Sequence, residues 1–104
     1  MPASTAILSA EEVLNTLGAH VSELRHFGVK RLGLFGSVAR GDARPDSDLD
    51  FVVELERLTS DDYFGLLFFL EDVLGRHVDL AICDDLRWQV KRRVAEEAQY
   101  VAGL

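Results

Sequence analysis

Gly36 to Val53 reads GSVARGDARPDSDLDFVV and lies between two apolar strand patterns, Val29 to Phe35 before it and Asp48 to Leu55 at its end. A Gly-Ser turn opens the stretch, and Asp48 and Asp50 close it, with residues 38–47 between. Residues i and i+2 of a strand share a face, so the two aspartates present their carboxylates side by side. Adjacent carboxylates repel and rarely gather without a cation between them. Oxygen-only ligands suit a hard ion, and Mg2+ is the usual one where phosphates complete the shell. The Gly-Ser turn starts a short helix, Ser37 to Arg40, whose free N–H groups are suited to cradle phosphate. Phosphate donors on one side and a metal-binding pair on the other point to a nucleotide site.

Working outward, Ser9 and Glu12 form a capping box that opens a helix, closed by Gly28, with an apolar stripe of Val13, Leu14, Leu17, Val21 and Leu24. His20 and His26 within it read as surface or partly buried histidines, and Met1 to Leu8 as a loose terminus. Arg44-Pro45 marks a loop, so the flanking strands are expected to be antiparallel neighbours. Thr59 or Ser60 caps a helix running to Leu74 and ended by Gly75, and a strand His77 to Ile82 follows. Asp84 or Asp85 is expected to cap the last helix, with stripe Leu86, Val90, Val94, Ala98 and Val101. Strand-helix-strand units join parallel neighbours, which lays the third strand beside the second. On that strand Asp79 stands among apolar residues, either as a solvated strand-end aspartate or as a third carboxylate beside Asp48 and Asp50. The second reading is taken.

The 104 residues are expected to form one domain, 1–104, without repeats or linkers. A net charge of −7 argues against a general nucleic-acid binder, which carries a basic face. Cys83, the single cysteine, permits no internal disulfide and suits a reducing compartment. No apolar run reaches membrane-span length and no signal-peptide pattern appears, so a cytoplasmic protein is expected. Asp46, Asp48 and Asp50 begin like a calcium loop, but Phe51 stands where glycine is needed. No Lys-Ser or Lys-Thr follows Gly41, which excludes a Walker A loop.

The pattern G-S-x-A-R-G followed by S-D-x-D, carried by Gly36, Ser37, Ala39, Arg40, Gly41, Ser47, Asp48 and Asp50, resembles the minimal nucleotidyltransferase (MNT) family of the DNA polymerase β superfamily. The resemblance implies an α/β fold with a mixed sheet in the order α-β-α-β-α-β-α, and two Mg2+ ions with ATP as substrate. It places the third acidic residue on the strand of Asp79. Asp48 and Asp50 would then hold both ions and Asp79 the ion that activates the acceptor. Gly36, Ser37, Arg40 and Ser47 would line the nucleotide site. Arg40 is left between two roles, a phosphate contact or a pair with an acidic neighbour such as Asp42 or Asp46.

A bare core of this kind has little surface with which to select an acceptor, which suggests a protein partner. The helix from Asp61 to Leu74 carries an apolar arc of Tyr63, Leu66, Leu67, Leu70, Val73 and Leu74, with Phe64, Phe68 and Phe69 outside it. A helix apolar nearly all round is deeply buried or part of an interface. Phe64 and Phe68 are taken as interface residues, with Trp88 as a possible extension. Lys91, Arg92 and Arg93 read as a solvated face, with Arg92–Glu96 and Arg93–Glu97 as i,i+4 pairs. The resemblance implies a HEPN-domain ribonuclease toxin as partner, neutralised by transfer of AMP from ATP to one of its tyrosines. An antitoxin that masks the toxin by contact, keeping the site as a nucleotide sensor, is the alternative. Transfer to a small molecule such as an aminoglycoside is a third reading, disfavoured because no second domain encloses the acceptor.

Overall fold

The structure is a computed structural model that describes residues 9–44 and 46–104. The expectations for Met1 to Leu8 and for Pro45 lie outside the described residues. Its first helix, α1 (Ala10–Gly18), opens on the expected capping box. Ser9 Oγ accepts from Glu12 N–H, and Glu12 Oε1 accepts from Ser9 N–H. The helix does not run on to Gly28. It ends at Gly18, and a second helix, α2 (Val21–His26), starts after His20. Ala19 and His20 donate back to Thr16 and Leu17 in tight bonds, while Leu24 N–H restarts the ladder on His20. Gly18 costs a helix interior about 1 kcal/mol relative to alanine, and a His20–Glu23 contact of 3.0 Å fixes the new start. Val13, Leu17 and Leu24 are buried as the stripe required.

Four strands, β1 (Val29–Phe35), β2 (Leu49–Leu55), β3 (Val78–Ile82) and β4 (Gln99–Tyr100), make one sheet in the order β3-β2-β1-β4. β1 and β2 are antiparallel and β2 and β3 parallel, as the connections predict. Leu32, Leu34, Leu49, Phe51, Val53, Val78 and Leu80 share one core with Val13, Leu17, Leu24, Leu66 and Leu70 from the helices. Each such side chain contributes about 1.5–3 kcal/mol when fully buried. The intervening residues of β2 and β3, among them Asp50 and Asp79, turn to the opposite face.

α4 (Ser60–Leu74) forms as expected, with Thr59 Oγ1 accepting from Asp62 N–H and Gly75 ending it at φ +65°. Its arc faces the sheet, and Phe69, expected outside it, packs half-buried against Phe27 at 5.5 Å and His20 at 5.7 Å. α4 also closes the edge of the sheet. Leu49 N–H donates to His77 O, so the odd-numbered residues 77–81 bond to β2, while the backbone N–H and C=O groups of Val78 and Leu80 point away from β2. Glu71 Oε2 accepts from Val78 N–H at 3.1 Å, and Tyr63 O–H donates to Leu80 O at 2.6 Å.

The end of the chain differs from expectation. Cys83–Asp85 is a 3-10 turn, and Leu86 and Arg87 are extended, so neither aspartate caps a helix. α5 (Trp88–Glu97) begins four residues after Asp84 and stops at Ala98, which is also extended. Gln99 and Tyr100 then pair with Leu34 and Gly33, and Val101 enters the core from this strand rather than from a helical stripe. A β-carbon on Gly33 would lie 2.8 Å from the Tyr100 ring, so glycine is what lets the tyrosine lie across β1. Arg31 stacks on the same ring, 4.2 Å from its centroid.

Candidate active site

The sheet register gathers the carboxylates. Asp50 on β2 is paired with Asp79 on β3, and Leu49 with Val78. β2 starts at Leu49, one residue later than expected, so Asp48 stands just before it, two residues from Asp50, while Asp50 and Asp79 lie side by side on β2 and β3. Asp50 also sits opposite Phe35, the last residue of β1, which brings it beside the turn that follows. That turn is a short helix, α3 (Gly36–Arg40), ended by Gly41 at φ +82°. Gly36 has φ +80°, a conformation that L side chains rarely adopt. A β-carbon there would overlap Asp50 Oδ2 and lie 3.0 Å from its carboxyl carbon. Glycine is required twice, by the backbone and by the carboxylate packed against it.

Burial raises the Asp50 pKa above its ordinary 3.8, the charges of Asp79 and then Asp48 push it further, and Arg40 pulls it back. A half-buried carboxylate pressed by two others is a place where a cation relieves repulsion. Among the described residues no group of three His, Cys, Asp or Glu side chains is placed to hold a metal ion. Asp48 and Asp79 are exposed and Asp50 is half-buried, so the three carboxylates line an open shelf. Mg2+ fits such a shelf, because it binds through one or two carboxylates, keeps waters and takes phosphate oxygens.

The other residues named from the sequence divide. Ser37 is half-buried in the first turn of α3, and its carbonyl accepts from Asp42 N–H at 3.0 Å. Ser47 closes the loop before β2: its Oγ accepts from Arg44 N–H at 2.8 Å. Arg40 pairs with Asp42 at 3.3 Å and, unforeseen, with Glu97 of α5 at 3.5 Å. Glu97 is therefore turned to α3 rather than to Arg93, whereas the Arg92–Glu96 pair forms at 3.7 Å. Phe64 and Phe68 are 50% and 62% exposed, with rings stacked 6.3 Å apart. Trp88 is 70% exposed on α5, which packs on α3, whereas α4 packs on β3 and α1. Sequence reasoning also missed His77, whose Nδ1 lies 3.3 Å from Asp48 Oδ2.

The fold is a four-stranded mixed sheet with helices packed on it, and it places Asp48 just before β2, Asp50 on β2 and Asp79 on the parallel β3 close to the Gly36 turn. The nucleotidyltransferase domain model matches residues 17–101, and the chain belongs to that family as one of its minimal members. It is 41% identical over 98 residues to protein adenylyltransferase MntA of Thermococcus cleftensis, covering 92% of this chain and 99% of that one. A solved structure assigned as a minimal nucleotidyltransferase is 40% identical, with a TM-score of 0.71 over 83% of this chain and 93% of the other. The fold also matches, at 19% identity and a TM-score of 0.62, a complex of a tri-AMPylated HEPN toxin of Shewanella oneidensis with its MNT antitoxin, covering 88% of this chain and 73% of that one.

Proposed function

We propose that this chain is the antitoxin of a two-protein system and transfers AMP from ATP to a tyrosine hydroxyl of a HEPN-domain toxin. The observation that carries the proposal is the ladder of Asp48, Asp50 and Asp79 beside the Gly36 turn. The full-length likeness to a protein adenylyltransferase supports the choice of a protein acceptor. The chain 1–104 acts as one domain in the cytoplasm, and among the described residues no helix is long and apolar enough to cross a membrane.

In the reaction the acceptor oxygen bonds to the α-phosphorus, the bond from that phosphorus to the bridging oxygen breaks, and pyrophosphate leaves. Mg2+, when bound, would supply positive charge to offset the charge that develops on the phosphate oxygens. Asp48 and Asp50 would hold both Mg2+ ions, and Asp79 would hold the one that activates the acceptor hydroxyl and take that hydroxyl's proton. Ser37 and the amides around Gly36 hold the terminal phosphates. Arg40 links α3 to α5 and keeps that turn in place. The toxin covers the exposed face of Phe64 and Phe68.

The test follows label from each of four α-labelled nucleoside triphosphates into protein, with Mg2+, in lysate of the source organism. Asp48→Asn runs in parallel. Label on one discrete protein band, from ATP alone and only with the wild type, is the expected result, with the label mapped to tyrosine. No label above the variant, from a folded protein that binds ATP, would instead identify an antitoxin that masks its toxin by contact.

A further inference from the structure

The site has a fourth corner. β2 and β3 are parallel, with Leu49 opposite Val78 and Asp50 opposite Asp79, so one step back the register sets Asp48 opposite His77. Leu49 N–H donates to His77 O at 3.0 Å and extends the ladder to that residue. His77 and Asp79 then share a face of β3 just as Asp48 and Asp50 share a face of β2. The His77 ring uses this position: Nδ1 lies 3.3 Å from Asp48 Oδ2.

We propose that His77 is a positioning residue that holds the Asp48 carboxylate in the orientation that binds metal. The inference rests on the reading of Asp48 as a metal ligand. Asp48 lies at the mouth of the site, its side chain 53% exposed, whereas Asp50 is held under Gly36. An exposed carboxylate samples several rotamers and loses that freedom when it binds an ion. A nitrogen beside Oδ2 removes part of that loss in advance and leaves Oδ1 to face the cation. Outer-shell partners of metal-binding carboxylates act in this way. The His77 side chain is itself 69% exposed, so its influence falls below that of a buried partner.

The test uses Mn2+ as a paramagnetic probe, titrated into the full chain with a non-hydrolysable ATP analogue and followed by loss of the free-ion resonance. His77→Ala is expected to weaken Mn2+ binding about three- to tenfold, at or below the roughly tenfold lower limit for outer-shell partners because the pair is exposed. His77→Asn, whose amide nitrogen can take the place of Nδ1, is expected to restore most of it, and His77→Gln little. With Mg2+ in the transfer assay, His77→Ala should raise the half-saturating metal concentration by the same factor and leave kcat at saturating metal within about twofold. Unchanged Mn2+ affinity in His77→Ala, while Asp48→Asn abolishes binding, would overturn the positioning role alone. Nitrogen hyperfine coupling on the bound Mn2+ would overturn it too, by making His77 a ligand. A wild type that binds no Mn2+, or an Asp48→Asn variant that binds it as well as the wild type does, would overturn the metal reading of the site as well.

Discussion

The Asp50 carboxylate is held at a cost to stability. Its folded pKa is raised, by burial first and then by Asp79 and Asp48. A raised pKa means that the folded state binds the proton more tightly than the unfolded chain does. The stability from this carboxyl is therefore present below the unfolded pKa and lost as pH rises through the folded value. At neutral pH the ionised carboxylate is a net cost in the metal-free protein. Asp50→Asn removes that charge, so it should raise the neutral-pH unfolding midpoint of the metal-free chain by a few degrees. The gain should fade as pH falls toward 3.8, the ordinary value. Added Mg2+ should raise the midpoint of the wild type and not of the variant. A variant less stable than wild type at pH 7 would show that Asp50 is not repelled in this way. Asp48, Asp50 and Gly36 were legible in the sequence because a two-residue period and a turn glycine are local signals. His77 was not, because its contact with Asp48 depends on the register of two strands separated by α4.

The elements divide by the strength of their end signals. α4 was legible to the residue at its C-terminus because Thr59 and Gly75 are strong caps at the two ends of an apolar arc. The break between α1 and α2 was missed, since the apolar spacing continues across Gly18 as if one helix ran through. β4 was missed for a different reason: two residues have no period, and only the open edge of β1 makes them a strand. α4 also does something that its sequence does not announce. Tyr63 and Glu71 engage Leu80 O and Val78 N–H, groups that an edge strand would otherwise offer to another chain. Tyr63→Phe should cost about 0.5–1.5 kcal/mol in chemical unfolding, the net worth of one such bond. It should also speed amide exchange along β3 more than along β1. Equal acceleration across the whole sheet would mean a global loss of stability and no edge role.

The whole molecule has two unlike surfaces on which other molecules can act. One is the sheet face that carries the carboxylates, where nucleotide and acceptor meet in the proposed reaction. The other is the outer face of α4, where the rings of Phe64 and Phe68 stack on each other with half or more of each exposed. Two exposed aromatic rings in contact are unfavourable for an isolated protein and typical of an interface core. Asp61 and Asp72, both exposed, stand three residues before Phe64 and four after Phe68, which puts them on the same helical face. A second copy of this chain laid on that face would bring aspartate to aspartate whether the helices ran parallel or antiparallel. A partner with an apolar patch between basic residues fits instead, in keeping with a net charge of −7. Replacing Phe64 and Phe68 by serine should therefore leave the unfolding free energy of the isolated chain within about 1 kcal/mol. It should weaken binding to the proposed HEPN-domain partner at least tenfold, as loss of an aromatic anchor does. Asp61→Lys with Asp72→Lys should slow association, and the penalty should shrink as salt screens the charges. Because the face lies apart from Asp50, the serine variant should bind Mg-ATP as the wild type does and lose label transfer through lost docking. Partner affinity unchanged in the serine variant would move the contact to the carboxylate face, where docking and chemistry would share one surface.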